Sequence, residues 1–243
     1  MYYNMKKDRR RYMKYAGICL VVLVVLCAVF ATQKKSFYHK EIVKLSEQPE
    51  EEFRAMKLNE EQIVWFRNHN TSESKKWLKE YEAVIKDMKV FPVEKDLLNG
   101  VGWGYENSWN EERTYGGKRF HEGTDIIAGN DERGYFTVVS VSDGVVEKKG
   151  WLEKGGWRIG VRSPGGVYYY YAHLCDYAEG IEEGSEVHAG DVIGTMGDTG
   201  YSQVEGTVGN FCVHLHFGIY LDINGEEKSV NPYWILKNIE HMS

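Results

Sequence analysis

Basic residues are outnumbered in this chain: 30 Lys and Arg against 36 Asp and Glu leave a formal charge of −6 over 243 residues. Six of the bases (Lys6, Lys7, Arg9, Arg10, Arg11 and Lys14) crowd the first 14 residues against one acid, Asp8, so the remainder stands at −11. A surface of that sign repels phosphate and excludes nucleic acid as a partner. Helix breakers are missing from residues 33 to 90, where Pro49 is the sole Gly or Pro. A nucleotide-binding fingerprint is missing too. Gly100, Gly102 and Gly104 form a loop but lack the strand-turn-helix context and third-glycine spacing it needs. Cysteines number 4, and two of them, Cys19 and Cys27, sit in an apolar segment as small hydrophobes.

That segment, Tyr15 to Ala31, carries no charge. Its length lies at the short end of the range for a membrane-spanning helix and beyond most signal-peptide cores. The basic cluster before it stays in the cytoplasm by charge bias, leaving the rest of the chain outside. The expected organisation is a cytoplasmic basic tail at 1–14, a transmembrane helix at 15–32, a helical stalk or module at 33–90 and a larger domain at 91–243. The protein is then a single-pass cell-membrane protein. A cleaved signal peptide is the rival reading, with Val29 and Ala31 before the cut. A lipoprotein site is excluded because Cys27 follows Val24, Val25 and Leu26 rather than small residues.

In the stalk, Asn59 with Gln62 and Asn70 with Glu73 have the spacing of helix N-caps and their N3 partners. Trp77, Tyr81, Val84, Ile85 and Met88 follow at helical spacing as one apolar face, and Pro92 bars further helix. That face has four candidate occupants: itself, the domain that follows, a second copy or a partner protein. Nothing in the residues selects among them.

Beyond residue 90 glycine is frequent and long helical patterns are scarce, so the domain reads as mainly β. Trp157 to Arg162 and Val167 to His173 form the arms of a hairpin around S-P-G-G. Alternate tyrosines of the second arm are available to wall a groove, although packing is their commoner role.

Three segments of this sequence read together as one zinc site: His121 and Asp125 in R-F-H-E-G-T-D-I, His173 in Y-Y-A-H-L, and His214 and His216 in C-V-H-L-H-F. On a strand from Phe211 to Tyr220, His214 and His216 share a face. For His121 and Asp125 the spacing fits a helix or a strand. Gly123, Thr124, Ile126 and Ile127 favour the strand, with Gly123 leaving open space between the ligands. Imidazoles with one carboxylate, and a position left to water, are the donor set of a catalytic zinc; a structural site closes its shell, usually with thiolates. His39, His69, His188 and His241 have no partners by pattern.

H-x-G-x-D, then Y-x-H-L, then H-L-H-F resembles the LytM-like, lysostaphin-type zinc endopeptidases that cut peptides in bacterial peptidoglycan. The resemblance spans about residues 90 to 236. It includes G-D-V-I-G-T-M-G-D-T-G at Gly190 to Gly200 and the turn around Asp143 and Gly144. It implies an antiparallel β-sheet metallopeptidase in which His121, Asp125 and His216 bind one Zn²⁺, with His173 and His214 beside the metal-bound water. It also implies a peptidoglycan peptide as substrate. All five positions are filled, whereas degenerate relatives that act as scaffolds or activators usually lack one or more. The competing expectation is such a non-catalytic envelope scaffold, or an activator of other cell-wall hydrolases. Imidazole titrates near neutrality, so either His173 or His214 suits the base. Two further expectations follow. Glu122, on the strand face opposite the metal, takes no part. If His173 faces His214 across antiparallel strands, Cys175 faces Cys212 in a register that permits a disulfide.

Overall fold

The computed structural model of the protein describes residues 54, 55, 57 and 72–240. The apolar run at 15–31, the caps read at Asn59 and Asn70, and His39, His69 and His241 lie outside the described residues, as does the side chain of Trp77. No described helix is long and apolar enough to cross a membrane.

Ten strands make one antiparallel sheet. Its path runs β1 (Trp103–Tyr105), β4 (Thr124–Ala128), β11 (His214–Ile223), β8 (Tyr168–Tyr177), β7 (Gly156–Arg162), β6 (Gly144–Leu152) and β9 (Glu186–Val187). Off this path, β12 (Glu226–Val230) pairs with β11, and β10 (Val192–Met196) links β8 to β5 (Thr137–Val139). A separate hairpin joins β2 (Glu112–Arg113) to β3 (Arg119–Phe120). The expected β7–β8 hairpin is present, with Arg162 opposite Tyr168 and Ser163 N–H donating to the Val167 carbonyl at 2.9 Å.

Alternation along β11 and β8 divides the sheet into two faces. Leu215, Phe217, Ile219 and Leu221 point into the core with Tyr169 and Tyr171, all fully buried. The opposite face carries His214, His216 and Tyr220 on β11, beside Ala172, Tyr170 and Tyr168 on β8. Of the four consecutive tyrosines, two therefore pack the core and two line the histidine face. Burying such apolar side chains contributes about 1.5–3 kcal/mol each.

Helix α1 (Ser72–Asp87) packs on the core face through Leu78, Tyr81 and Val84, with Met88 buried just beyond its end and the Tyr169 hydroxyl donating to the Val84 carbonyl at 3.4 Å. The apolar face is covered by the β-sheet domain of its own chain. Ile85, expected on that face, is 48 % exposed; it lies one residue past Val84, about 100° around the helix. Asp87 ends α1 and accepts hydrogen bonds from Ser163 Oγ and Gly165 N–H, both at 2.7 Å. Helix α2 (Tyr233–Glu240) buries Ile235, Leu236 and Ile239.

Candidate metal centre

β4 and β11 lie side by side with Asp125 opposite His216. The segment from His121 to Gly123 is not strand, contrary to the sequence expectation. β3 stops at Phe120, the chain bends at Gly123, and β4 begins at Thr124. The bend still turns His121 toward Asp125. Its Nε2 stands 3.0 Å from Asp125 Oδ1 and 2.9 Å from His216 Nδ1, and His216 Nδ1 stands 3.0 Å from the same carboxylate oxygen. Gly123 is needed for this closure, though not to make open space. A Cβ there would come within 2.6 Å of His216 Cε1 and of the Phe217 carbonyl, so the imidazole ring fills the room a side chain would take.

The donors are oriented as lone pairs. His121 Nδ1 donates to the Ser108 carbonyl at 3.0 Å, leaving Nε2 unprotonated toward Asp125 and His216. The Arg113 guanidinium lies 3.0 Å from that Nδ1 and donates to Asp125 Oδ2 at 3.1 Å, leaving Oδ1 for the cluster. Burial works against the Asp125 charge. The histidines gathered around it, His121 and His216 nearest, outweigh it and hold the carboxyl well below its ordinary range. Burial lowers the pKa of His216. Nitrogen and oxygen ligands about 2.0–2.2 Å from a tetrahedral zinc stand roughly 3.3 Å apart. The observed spacing and chemistry of His121, Asp125 and His216 fit a divalent metal ion.

His173 and His214 complete the constellation. Their ring centroids are 4.7 Å apart, and His173 lies 6.0 Å from His216. Each gives its Nδ1 proton to a carbonyl: His173 to Thr199 at 2.7 Å, His214 to Cys212 at 2.8 Å. Both therefore present an unprotonated Nε2, and that of His214 is 3.9 Å from Asp125 Oδ1. Burial is the main cause that keeps the His173 pKa well below its ordinary value. Its backbone has φ 64°, a left-handed conformation that costs energy in a non-glycine residue and collects at functional sites.

The expected register does not form. β8 pairs with β11 as far as Ala172 opposite His216; beyond His173, β8 pairs with β10, while His214 bridges to Gly197. His173 and His214 are thus not cross-strand partners. Cys175 and Cys212 are both free, and the disulfide is absent. Glu122 is exposed and, among the described residues, forms no hydrogen bond to this cluster.

Sequence reasoning overlooked the supports. Arg113 faces Arg119 across β2–β3, and the Gly116–Gly117 pair was the available signal for that hairpin. The glycine-rich loop after β10 is pinned, with Asp198 accepting from Arg133 Nε at 2.5 Å and from Gly209 N–H at 2.8 Å. It holds the Thr199 carbonyl against His173. It also packs Phe211 4.6 Å from His173, and stacks Tyr201 on Tyr115 at 4.5 Å. His188 is 80 % exposed, far from any such role.

Comparison with known proteins agrees with this geometry. Residues 119–232 match peptidase family M23. The chain is 42 % identical over 162 residues to the L-Ala–D-Glu endopeptidase of Bacillus subtilis, covering 67 % of this chain and 47 % of that protein. It is 32 % identical over 103 residues to the glycyl-glycine endopeptidase ALE-1 of Staphylococcus capitis, covering 42 % and 26 %. The chain thus spans less than half the length of these two relatives. A crystal structure from Ruminococcus gnavus, provisionally described as a glycyl-glycine endopeptidase LytM, is 50 % identical with a TM-score of 0.65. The match covers 74 % of this chain and 71 % of that one. With the likeness running through most of both chains, the protein belongs to peptidase family M23.

Proposed function

We propose that this protein is a zinc-dependent endopeptidase that hydrolyses peptide bonds in bacterial peptidoglycan, anchored in the cell membrane by residues 15–32 with its catalytic domain outside. The observation that carries the reading is the convergence of His121 Nε2, Asp125 Oδ1 and His216 Nδ1 at about 3 Å from one another, beside two histidines with free Nε2 atoms. His121, Asp125 and His216 would hold the zinc. Bound there, it supplies Lewis-acid activation of water and of the scissile carbonyl.

The remaining work falls to the chain. His173 or His214 accepts a proton at Nε2 and returns it to the leaving amine. The Thr199 and Cys212 carbonyls fix the tautomers that make this possible. Arg113 holds Asp125 Oδ2, so that one carboxylate oxygen is presented to the metal. A scaffold without activity has no use for five oriented groups. The test is digestion of purified peptidoglycan by the full-length protein, with metal analysis of Asp125→Ala. We expect peptide cleavage by the native protein, and loss of both zinc and cleavage in the variant. An inert native protein sinks the enzyme reading; full zinc in the variant sinks the ligand assignment.

A further inference from the structure

Arg158 lies on β7, where the register shifts between Trp157 opposite Leu174 and Ile159 opposite Tyr171. Arg158 therefore stands against Ala172 and His173. Ile159 is fully buried in the core, so Arg158 projects from the other face, the one that carries the histidines. Asp125, His216, Ala172 and Arg158 thus form one row across β4, β11, β8 and β7. With strands about 4.8 Å apart, Arg158 is about 10 Å from His216 along that row. Between them stands Tyr170, its ring edge-on to His216 at 6.0 Å and its hydroxyl against Gly155. The Arg158 charge acts on the Tyr168, Tyr170 and Tyr177 hydroxyls around it.

Arg158 Nη1 is buried and finds no acceptor in the protein, although the residue as a whole is half-buried. Arg162, four residues further along the same face, is held by Glu147 and Glu227. The other described arginines also have acceptors: Arg54 on Ser229, Arg113 on Asp125, Arg119 on Tyr201 and Arg133 on Asp198. A guanidinium nitrogen stripped of water without a partner costs stability. Among protein groups a carboxylate is its natural mate, accepting two parallel hydrogen bonds.

We propose that Arg158 is a specificity residue that receives a free carboxylate of the peptide substrate, close to the bond that is cut. The inference rests on the endopeptidase reading above. A spacing of about 10 Å corresponds to roughly three residues of extended chain, fewer when the carboxylate is carried on a side chain. Cleavage next to an acidic residue uses this charge. Cleavage within a run of glycines leaves it unpaired, so Arg158 favours an Ala–Glu type of bond over a Gly–Gly bond.

The test takes the zinc-loaded full chain in detergent with three peptides: an N-acyl L-Ala–D-Glu peptide with its Glu carboxylate free, the same peptide with that carboxylate as carboxamide, and pentaglycine. The native enzyme should prefer the acid to the amide by about 10- to 100-fold in kcat/KM, the range of a hydrogen bond to a charged group. In Arg158→Met that ratio should fall toward one, and Arg158→Lys should restore part of it. Zinc content and thermal unfolding of each variant report whether the fold survives. An equal rate on acid and amide by the native enzyme, a ratio unchanged in Arg158→Met, or a preference for pentaglycine overturns the proposal. Failure to cut any of the three peptides or peptidoglycan overturns the endopeptidase reading instead.

Discussion

Glu122 adjoins a candidate ligand in sequence, and the near miss His121-Glu122-Gly123-Thr124-Asp125 resembles the helical motif in which a glutamate beside the first histidine acts as base. Here the segment is a bend followed by a strand, and Glu122 faces solvent. Glu122→Gln should keep activity on peptidoglycan within a few-fold. His173→Ala and His214→Ala should retain zinc yet lose the roughly 10²–10⁴-fold typical of a general base. A dead Glu122→Gln beside an active His173→Ala would reverse these roles. The five site residues were legible because their types and short spacings carry the chemistry. Arg113, Thr199 and Arg158 were not, since what they touch depends on long-range pairing. The Cys175–Cys212 register failed because β8 pairs with β11 one residue away from that count, with Ala172 opposite His216, and leaves β11 for β10 beyond His173; no residue type in Y-Y-A-H-L signals either.

At the level of elements, hydrophobic alternation and turn residues exposed the β7–β8 hairpin, while helical spacing exposed α1. Ile85 misled because an apolar residue at a face's margin satisfies the pattern whether or not it is covered. The partner of α1 was beyond the sequence, since a buried stripe does not name what buries it. The loop from Gly197 to Val213 is rich in glycine, yet buried Asp198 ties it to Arg133 and Gly209. Asp198→Ala should release the loop and let the Thr199 carbonyl drift from His173. We expect zinc to stay bound, as no candidate ligand lies on this loop. Activity should fall by about 10²-fold, the cost of a misplacement near 1 Å. Parallel measurement of zinc and peptidoglycan cleavage checks this, and an unimpaired variant would deny the loop its positioning role.

For the molecule as a whole, charge and hydropathy suggest an arrangement that the sheet domain leaves open. With Lys and Arg retained inside, the mature protein should keep its first residues, and protease added to intact cells should remove the domain. N-terminal sequencing that begins near Thr32 would replace the anchor by a cleaved signal. Within the domain, the change of partner at His173 joins the β5–β10 wing to the rest of the sheet at a candidate site residue. Opening that wing must therefore pull on His173. Amide protons of Thr195 and Met196 should exchange with solvent in step with those of β11 around His214. A slow-exchanging wing is then a readout of an intact site, available without any substrate.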